Sequence, residues 1–222
     1  MIEIRDLTKS YKVKGTRHYV FRNLNVQLPS DKSIALIGRN GAGKSTLLRM
    51  IGGIDRADSG EIITDKTISW PVGLSGGFQG SLSGRENVKF VSRLYAKKDE
   101  VRQKVEFVEQ FAELGKYFDM PIRSYSSGMR SRLGFGLSMA FSFDYYLVDE
   151  VTAVGDARFK QKCSELFLQR KKNSCLLMVS HSVSQLKQYC DAALFIDRDN
   201  KVAFYDDIDE ALAAYKKSES LC

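Results

Sequence analysis

The sequence predicts an α/β fold wrapped around a phosphate-binding loop, and three stretches carry that prediction. Ile34 to Ile37 is a short apolar run suited to a buried strand; it leads into GRNGAGKST and then LLRMIGG, whose apolar spacing suits a helix. A second apolar run, Tyr145 to Val148, ends in the acidic pair Asp149 and Glu150. Between Gln79 and Tyr125 the sequence is mainly helical in pattern, including ENVKFVSRLYA and VRQKVEFVEQFAEL. With 222 residues, 43% of them hydrophobic, the chain can bury one good core and reads as one domain with at most a modest subdomain.

At the N-terminus, MIEIRDLTKSYKVKG alternates apolar and polar residues and lacks the apolar core of a signal peptide. No apolar run reaches the roughly 18 residues that a membrane span needs, so a cytoplasmic chain is expected. KVKGTRHYV reads as an inserted hairpin. The four cysteines, Cys163, Cys175, Cys190 and Cys222, lack CxxC spacing, which argues against a metal cluster or disulfide framework and for reduced thiols. The net charge of +7 admits attraction to nucleic acid or anionic lipid, or basic residues spread over solvated faces; their scatter favours the second.

In the glycine-rich loop, Gly38, Gly43, Lys44 and Ser45 satisfy the P-loop spacing, and the loop lies between strand and helix as that motif requires. Glycines let the backbone curl, so that its N–H groups and the helix N-terminus point at phosphates. Asn40, Gly41, Ala42 and Thr46 are assigned to the nucleotide with them, Thr46 near the α phosphate. Lys44 is expected to reach the β and γ phosphates, and the Ser45 hydroxyl to ligate Mg²⁺. Asp149, at the C-terminal edge of a buried strand, is the metal-side acid, and Glu150 is a candidate general base for an attacking water.

With GRNGAGKST and DYYLVDE in this order, the chain resembles the ATPase subunits of ATP-binding cassette transporters over almost its whole length. The resemblance implies a RecA-like core, an antiparallel N-terminal β subdomain and an inserted helical subdomain at about residues 80–145, all within one nucleotide-binding domain of residues 1–222. It also implies a serine-glycine motif, usually LSGGQ, that opens a long helix before the acidic strand and completes the nucleotide site of the opposite subunit in a head-to-tail dimer. Two stretches compete for that role, LSGGF at Leu74 to Phe78 and YSSGM at Tyr125 to Met129.

After YSSGM, Met129, Leu133, Gly136, Leu137 and Ala140 fall on one helical face, with Ser126 placed to cap the helix start. Ser126 precedes Asp149 by 23 positions, against 74 for Ser75. After LSGGF, Ser83 and Glu86 make a capping box, so the next helix starts near Ser83 rather than Ser75. YSSGM is therefore the signature, with Ser126, Ser127, Gly128 and Met129 assigned to nucleotide. It departs from the family at Tyr125 for leucine, Ser127 for glycine and Met129 for glutamine.

Other roles follow from the resemblance alone. LSGGF sits where the family has its Q-loop, and Gln79 matches the glutamine that contacts Mg²⁺ and water and hinges toward the membrane partner. Asp156 matches the D-loop aspartate, although Val151 replaces the usual proline. His181, after CLLMVS, matches the switch histidine that contacts γ phosphate, and joins Lys44 and Glu150 as catalytic. Tyr11 occupies the place of the aromatic that stacks on adenine. Short strands are expected at Ala192 to Ile196 and Val202 to Tyr205, and a final helix near Ile208 to Lys217.

GGFQGSLSGRENV, YSSGMRSRLGFGLSMA and DEVTAVGDARFKQKC look like the ATPases of bacterial polysaccharide exporters, most of all those exporting capsular polysaccharide from Gram-negative bacteria. The extra C-terminal carbohydrate-binding domain frequent in O-antigen exporters is not expected here. The resemblance implies ATP and Mg²⁺ as cofactors, a homodimer, an integral membrane permease dimer that handles the polysaccharide, and a place on the cytoplasmic face of the inner membrane. Export of another glycan, O-antigen or teichoic acid, is the alternative. A soluble nucleic-acid-associated ATPase of the same type is a more distant one, and no nucleic-acid partner is expected.

Overall fold

The computed structural model describes residues 1–73, 77–150, 156–197 and 201–220. They form two compact units, which do not follow chain order. The first comprises Met1–Trp70, Phe143–Glu150 and the chain from Lys171 onward; the second comprises Pro71–Ser142 and the segment ending at Arg170.

In the first unit, β1 (Ile2–Val13) and β2 (Thr16–Leu28) form a long antiparallel hairpin. Lys14 and Gly15 turn it, both with positive φ (50° and 85°), the backbone that a two-residue hairpin turn needs. KVKGTRHYV forms a hairpin as expected, the far end of two continuous sheet strands paired as far as Val13 and Thr16. The next elements are β3 (Ile34–Gly38), α1 (Lys44–Ile51), β4 (Ser59–Thr64) and β5 (Ile68–Pro71). β4 pairs with β1 to complete a three-stranded antiparallel sheet, β2-β1-β4.

The second sheet has six strands in the order β5-β6-β7-β3-β8-β9, with β6 (Tyr145–Asp149), β7 (Cys175–Val179), β8 (Ala192–Ile196) and β9 (Val202–Tyr205). β3 lies between β7 and β8 and is parallel to both, β6 is parallel to β7, and β9 closes the edge antiparallel to β8. β3 is buried along its whole length and β6 up to Val148, which is why their sequences are unbroken apolar runs rather than alternating ones. Tyr145 belongs to this core because its hydroxyl finds a partner, donating to the Pro29 carbonyl oxygen at 2.5 Å. The strands at 192–196 and 202–205 lie where the sequence placed them, and the last helix, Ile208–Ser220, extends slightly beyond the expected Lys217.

The second unit holds the helices α2 (Gly84–Tyr95), α3 (Val101–Ala112), α4 (Ser127–Met139) and α5 (Ala157–Lys171). The Ser83–Glu86 capping box at α2 and the Ser126 cap at α4 are both present. α4 differs from expectation in one respect. Its second half, Leu133 to Met139, is buried all round rather than on one face, because Phe135 enters an aromatic cluster with Phe111 of α3 and Phe167 of α5. Gly136 permits that approach: a Cβ there would lie 3.2 Å from the Phe111 ring.

Cys163, Cys175 and Cys190 are free thiols, and burial pushes Cys163 and Cys190 up to about 12, so these two stay protonated and inert at neutral pH. Cys222 lies outside the described residues.

Candidate functional site

β3 ends at Gly38, and the chain turns through Arg39 to Gly43 into α1. Gly41 and Gly43 both have left-handed φ, 82° and 94°. At Gly41 the backbone angle alone requires glycine, since a Cβ would meet no atom within 4 Å. Gly43 is required twice over, because a Cβ would also drive into Val20 and Phe21 of β2. As the N-cap of α1, Gly43 offers no capping side chain, and no acidic residue occupies the first turn. The helix start therefore presents uncommitted N–H groups and a partial positive charge, which together make an anion site.

Two strands from β3 across the sheet, β6 delivers its acids at the same carboxyl-end edge. The Ser45 hydroxyl donates to Asp149 Oδ1 at 3.1 Å, although the two residues are far apart in the chain. Glu150 has a left-handed φ of 56°, and its N–H donates to the Val179 carbonyl oxygen at 3.0 Å, which fixes this residue at the end of β6. Its Oε1 lies 2.9 Å from His181 Nε2, at the end of β7. Lys44 folds back over its own loop and donates to the carbonyl oxygens of Gly38 at 2.7 Å and Arg39 at 2.8 Å. Burial lowers its ammonium pKa, while Glu150 and Asp149 pull it back up.

Asn40, Gly41, Gly43, Lys44, Ser45, Thr46, Glu150 and His181 line one open recess of about 300 Å³. A phosphate chain fits this donor set: uncommitted N–H groups, an ammonium that among the described residues is bonded to loop carbonyls, and a glycine-shaped backbone. Mg²⁺ fits the paired Ser45 hydroxyl and Asp149 carboxylate, both hard oxygen ligands. Val20 also lines the recess, and nothing in the sequence pointed to it. Tyr11 is not in the lining; it is partly exposed on β1, with its hydroxyl donating to Asp55 Oδ2 at 3.1 Å and Lys9 Nζ over its ring.

The remaining predicted residues belong to the second unit. Gln79 precedes α2, with its backbone bonded in both directions to Asn87. Ser126 caps α4, accepting from the Met129 N–H at 3.2 Å, and Ser127, Gly128 and Met129 form the first turn. Asp156 accepts from the Phe159 N–H at 2.9 Å and pairs with Arg132 of α4 at 2.8 Å, a partner that sequence reasoning missed. Leu74 to Gly76 of the LSGGF stretch and Val151 to Gly155 of the D-loop stretch lie outside the described residues.

A glycine-rich loop that opens a helix at the end of a central parallel strand, with a hydroxyl–carboxylate pair and a second acid at the same edge, defines a P-loop ATPase. Residues 21–153 match the ABC transporter family, and the chain belongs to that family as an ATP-binding, ATP-hydrolysing protein. It is 67% identical over 221 residues to the polysialic acid transport ATP-binding protein KpsT of Escherichia coli, covering 100% of this chain and 99% of that protein. It is 41% identical to the capsule polysaccharide export ATP-binding protein CtrD of Neisseria meningitidis serogroup B, over 97% of this chain and 98% of that one. Among solved structures, the ADP- and Pi-bound dimer of the ATP-binding cassette MJ0796 superposes with a TM-score of 0.76 at 20% identity, covering 94% of this chain and 99% of that one. That last likeness concerns the fold.

Proposed function

We propose that this chain is the ATP-hydrolysing subunit that drives export of capsular polysaccharide across the bacterial inner membrane. The carrying observation is the single recess that gathers Lys44, Ser45, Glu150 and His181 at the carboxyl edge of the sheet, with Ser45 bonded to Asp149. The cargo follows from relatives named for polysialic acid transport and capsule polysaccharide export, aligned with essentially the whole chain.

In this reading residues 1–222 act as one nucleotide-binding domain, and two copies pair head to tail. The loop from Asn40 to Gly43 and the start of α1 hold the phosphates of ATP; Lys44 leaves its loop carbonyls for the β and γ phosphates. Ser45 and Asp149 hold Mg²⁺, which when bound offsets the phosphate charge. Glu150 takes a proton from the attacking water, and His181, already in contact with that carboxylate, orients it toward the γ phosphate. Ser126 and Gly128 complete the site of the opposite subunit, Asp156 runs along the interface, and Gln79 reports to the permease. Tyr11 stacks on adenine once its ring turns from Asp55.

A separate permease carries the cargo, and no helix among the described residues is long and apolar enough to cross a membrane. Leu82 and Tyr95 of the helical unit, 37% and 59% exposed, are the proposed permease-facing side chains on the cytoplasmic side.

The test is purification of tagged protein from detergent-solubilised membranes of its host, with ATP turnover measured for wild type, Lys44→Ala and Glu150→Gln. A multispanning partner is expected to accompany it. Each substitution is expected to lower turnover at least about 100-fold, with Glu150→Gln still binding ATP. Protein that stays out of the membrane fraction and carries nucleic acid would sink the transport reading while leaving the ATPase intact.

A further inference from the structure

Tyr125 stands where the family pattern has leucine, and its side chain does more than fill the space of one. It is 4% exposed, and its hydroxyl donates to the Tyr117 carbonyl oxygen at 2.6 Å. The same hydroxyl lies directly over Gly84, the first residue of α2, so closely that a Cβ there would collide with it. Beside this contact two backbone segments pair. Ile122 N–H donates to the Leu82 carbonyl oxygen at 2.9 Å, Arg123 N–H donates to that of Gly80 at 3.0 Å, and Ser83 bridges Pro121.

Asn87, also 4% exposed, closes the other end. Its Oδ1 accepts from the Gln79 N–H at 2.8 Å, and its Nδ2 donates to the carbonyl oxygens of Gln79 at 3.1 Å and Ser83 at 2.8 Å. On the signature side, Arg130 Nη1 donates to the Tyr125 carbonyl oxygen at 2.7 Å, one residue before the Ser126 cap. A chain of mostly part-buried bonds thus runs from Gln79 to Tyr125, the residue before Ser126, inside one unit.

We infer that Tyr125 and Asn87 are positioning residues that join the Gln79 loop to the signature serine Ser126 as one rigid block, Tyr125 through its hydroxyl and Asn87 through its amide. The inference rests on the reading that Ser126 completes the nucleotide site of the opposite subunit. One backbone bond between the two segments would let them slide or rotate. The paired backbone, the Tyr125 hydroxyl and the Asn87 amide together fix both motions, so a displacement of Gln79 moves Ser126 with it. Leucine at 125 would fill the volume but leave that position to packing alone.

The test uses full-length protein carrying Glu150→Gln, in which ATP-driven dimer formation is followed by sedimentation velocity. Binding of a fluorescent ATP analogue to the monomer and the melting temperature are measured alongside. Tyr125→Phe, which removes one hydroxyl, is expected to weaken dimer formation about 5-fold while the monomer binds the analogue as before. Gly84→Ala, which pushes a methyl into that hydroxyl, is expected to weaken it further, and the Gly84→Ala/Tyr125→Phe double variant to recover most of the difference. Because relief of the clash would also restore packing, the melting temperature is the separating readout: a dimer defect in Tyr125→Phe that exceeds any loss of stability supports the link, and one that only follows a fall in melting temperature overturns it. Full dimer formation in Tyr125→Phe, or simple addition of the two effects, overturns the inference. Asn87→Ser tests the other end without touching the Tyr125 contact, and full dimer formation there overturns it equally. Ser126→Ala separates the layers: if it too dimerises normally, the signature role of Ser126 fails, whereas loss there with none in Tyr125→Phe sinks only the link.

Discussion

The two units hold their functional residues by opposite means. In the first, the recess is shaped by the main chain: strands that end at one edge, two glycines in left-handed backbone and a helix start without a cap. Its polar side chains are bonded mostly to one another or to loop carbonyls, as with Ser45 to Asp149 and Lys44 to Gly38. In the second, side chains do the holding. Arg85 alone spans Glu109 at 2.5 Å and Asp119 at 2.6 Å and sits over the Phe118 ring. Asp119 and Glu109 both raise its pKa, which keeps the guanidinium charged throughout. A backbone-shaped site can exchange its internal bonds for a ligand's without losing its form. A side-chain network keeps its own partners and is suited to carrying a motif as a unit.

If that contrast is right, the first unit is most easily damaged by adding a methyl. Gly43→Ala adds left-handed strain and a collision with Val20 and Phe21, and is expected to cost about 3 kcal/mol of stability together with loss of nucleotide binding. The cost should be independent of salt, and thermal melting with an ATP titration at two ionic strengths checks both points. A variant that binds ATP normally would break the comparison.

In the second unit, charge removal is the change that tells on the side-chain network. Arg85→Ala should cost about 1 kcal/mol, since the pairs are partly exposed, and the loss should shrink as salt is raised. Melting curves at low and high salt read this directly, and a salt-independent loss would point to the Phe118 contact instead.

The smallest effect sharpens the comparison by supplying a side-chain tie within the first unit. Asp144 accepts from the Thr67 N–H at 2.8 Å and the Thr67 hydroxyl at 2.6 Å, and these bonds hold its pKa below the ordinary carboxylate value. A depressed folded pKa contributes stability that is complete above the unfolded pKa and is lost as pH falls through the folded one. Asp144→Asn should therefore cost only a few tenths of a kcal/mol at neutral pH, because the group is exposed, and should flatten the fall in stability below about pH 4. Chemical denaturation across that range would show it, and parallel curves for variant and wild type would contradict it.

How far the sequence could be read follows the same division. GRNGAGKST is a continuous stretch whose glycines, lysine and serine act at adjacent positions, so strand, loop and helix were legible together, as was the buried strand leading to Asp149. The two helix starts on which the choice between LSGGF and YSSGM turned were legible too, because Ser83–Glu86 and Ser126 are helix-start signals with local chemistry. Tyr125 was visible only as a departure from leucine, since its purpose depends on Tyr117 and Gly84. Val20 gave no signal at all, because a valine in a hairpin strand looks like any other sheet residue until β2 is laid beside the loop. The pairing of Arg132 with Asp156 was equally hidden, two charges on elements that only packing brings together.

By itself, then, the sequence determined the strand, loop and helix around GRNGAGKST, the helix starts at Ser83 and Ser126 and the acids that end β6, because period, caps and glycine positions act over a few residues of chain. The tertiary structure decided which side chains meet across the fold: Ser45 with Asp149, Glu150 with His181, Tyr125 with Tyr117. Those contacts depend on strand order and helix packing, and both are settled by burying apolar surface over the whole unit rather than by any local run of residues.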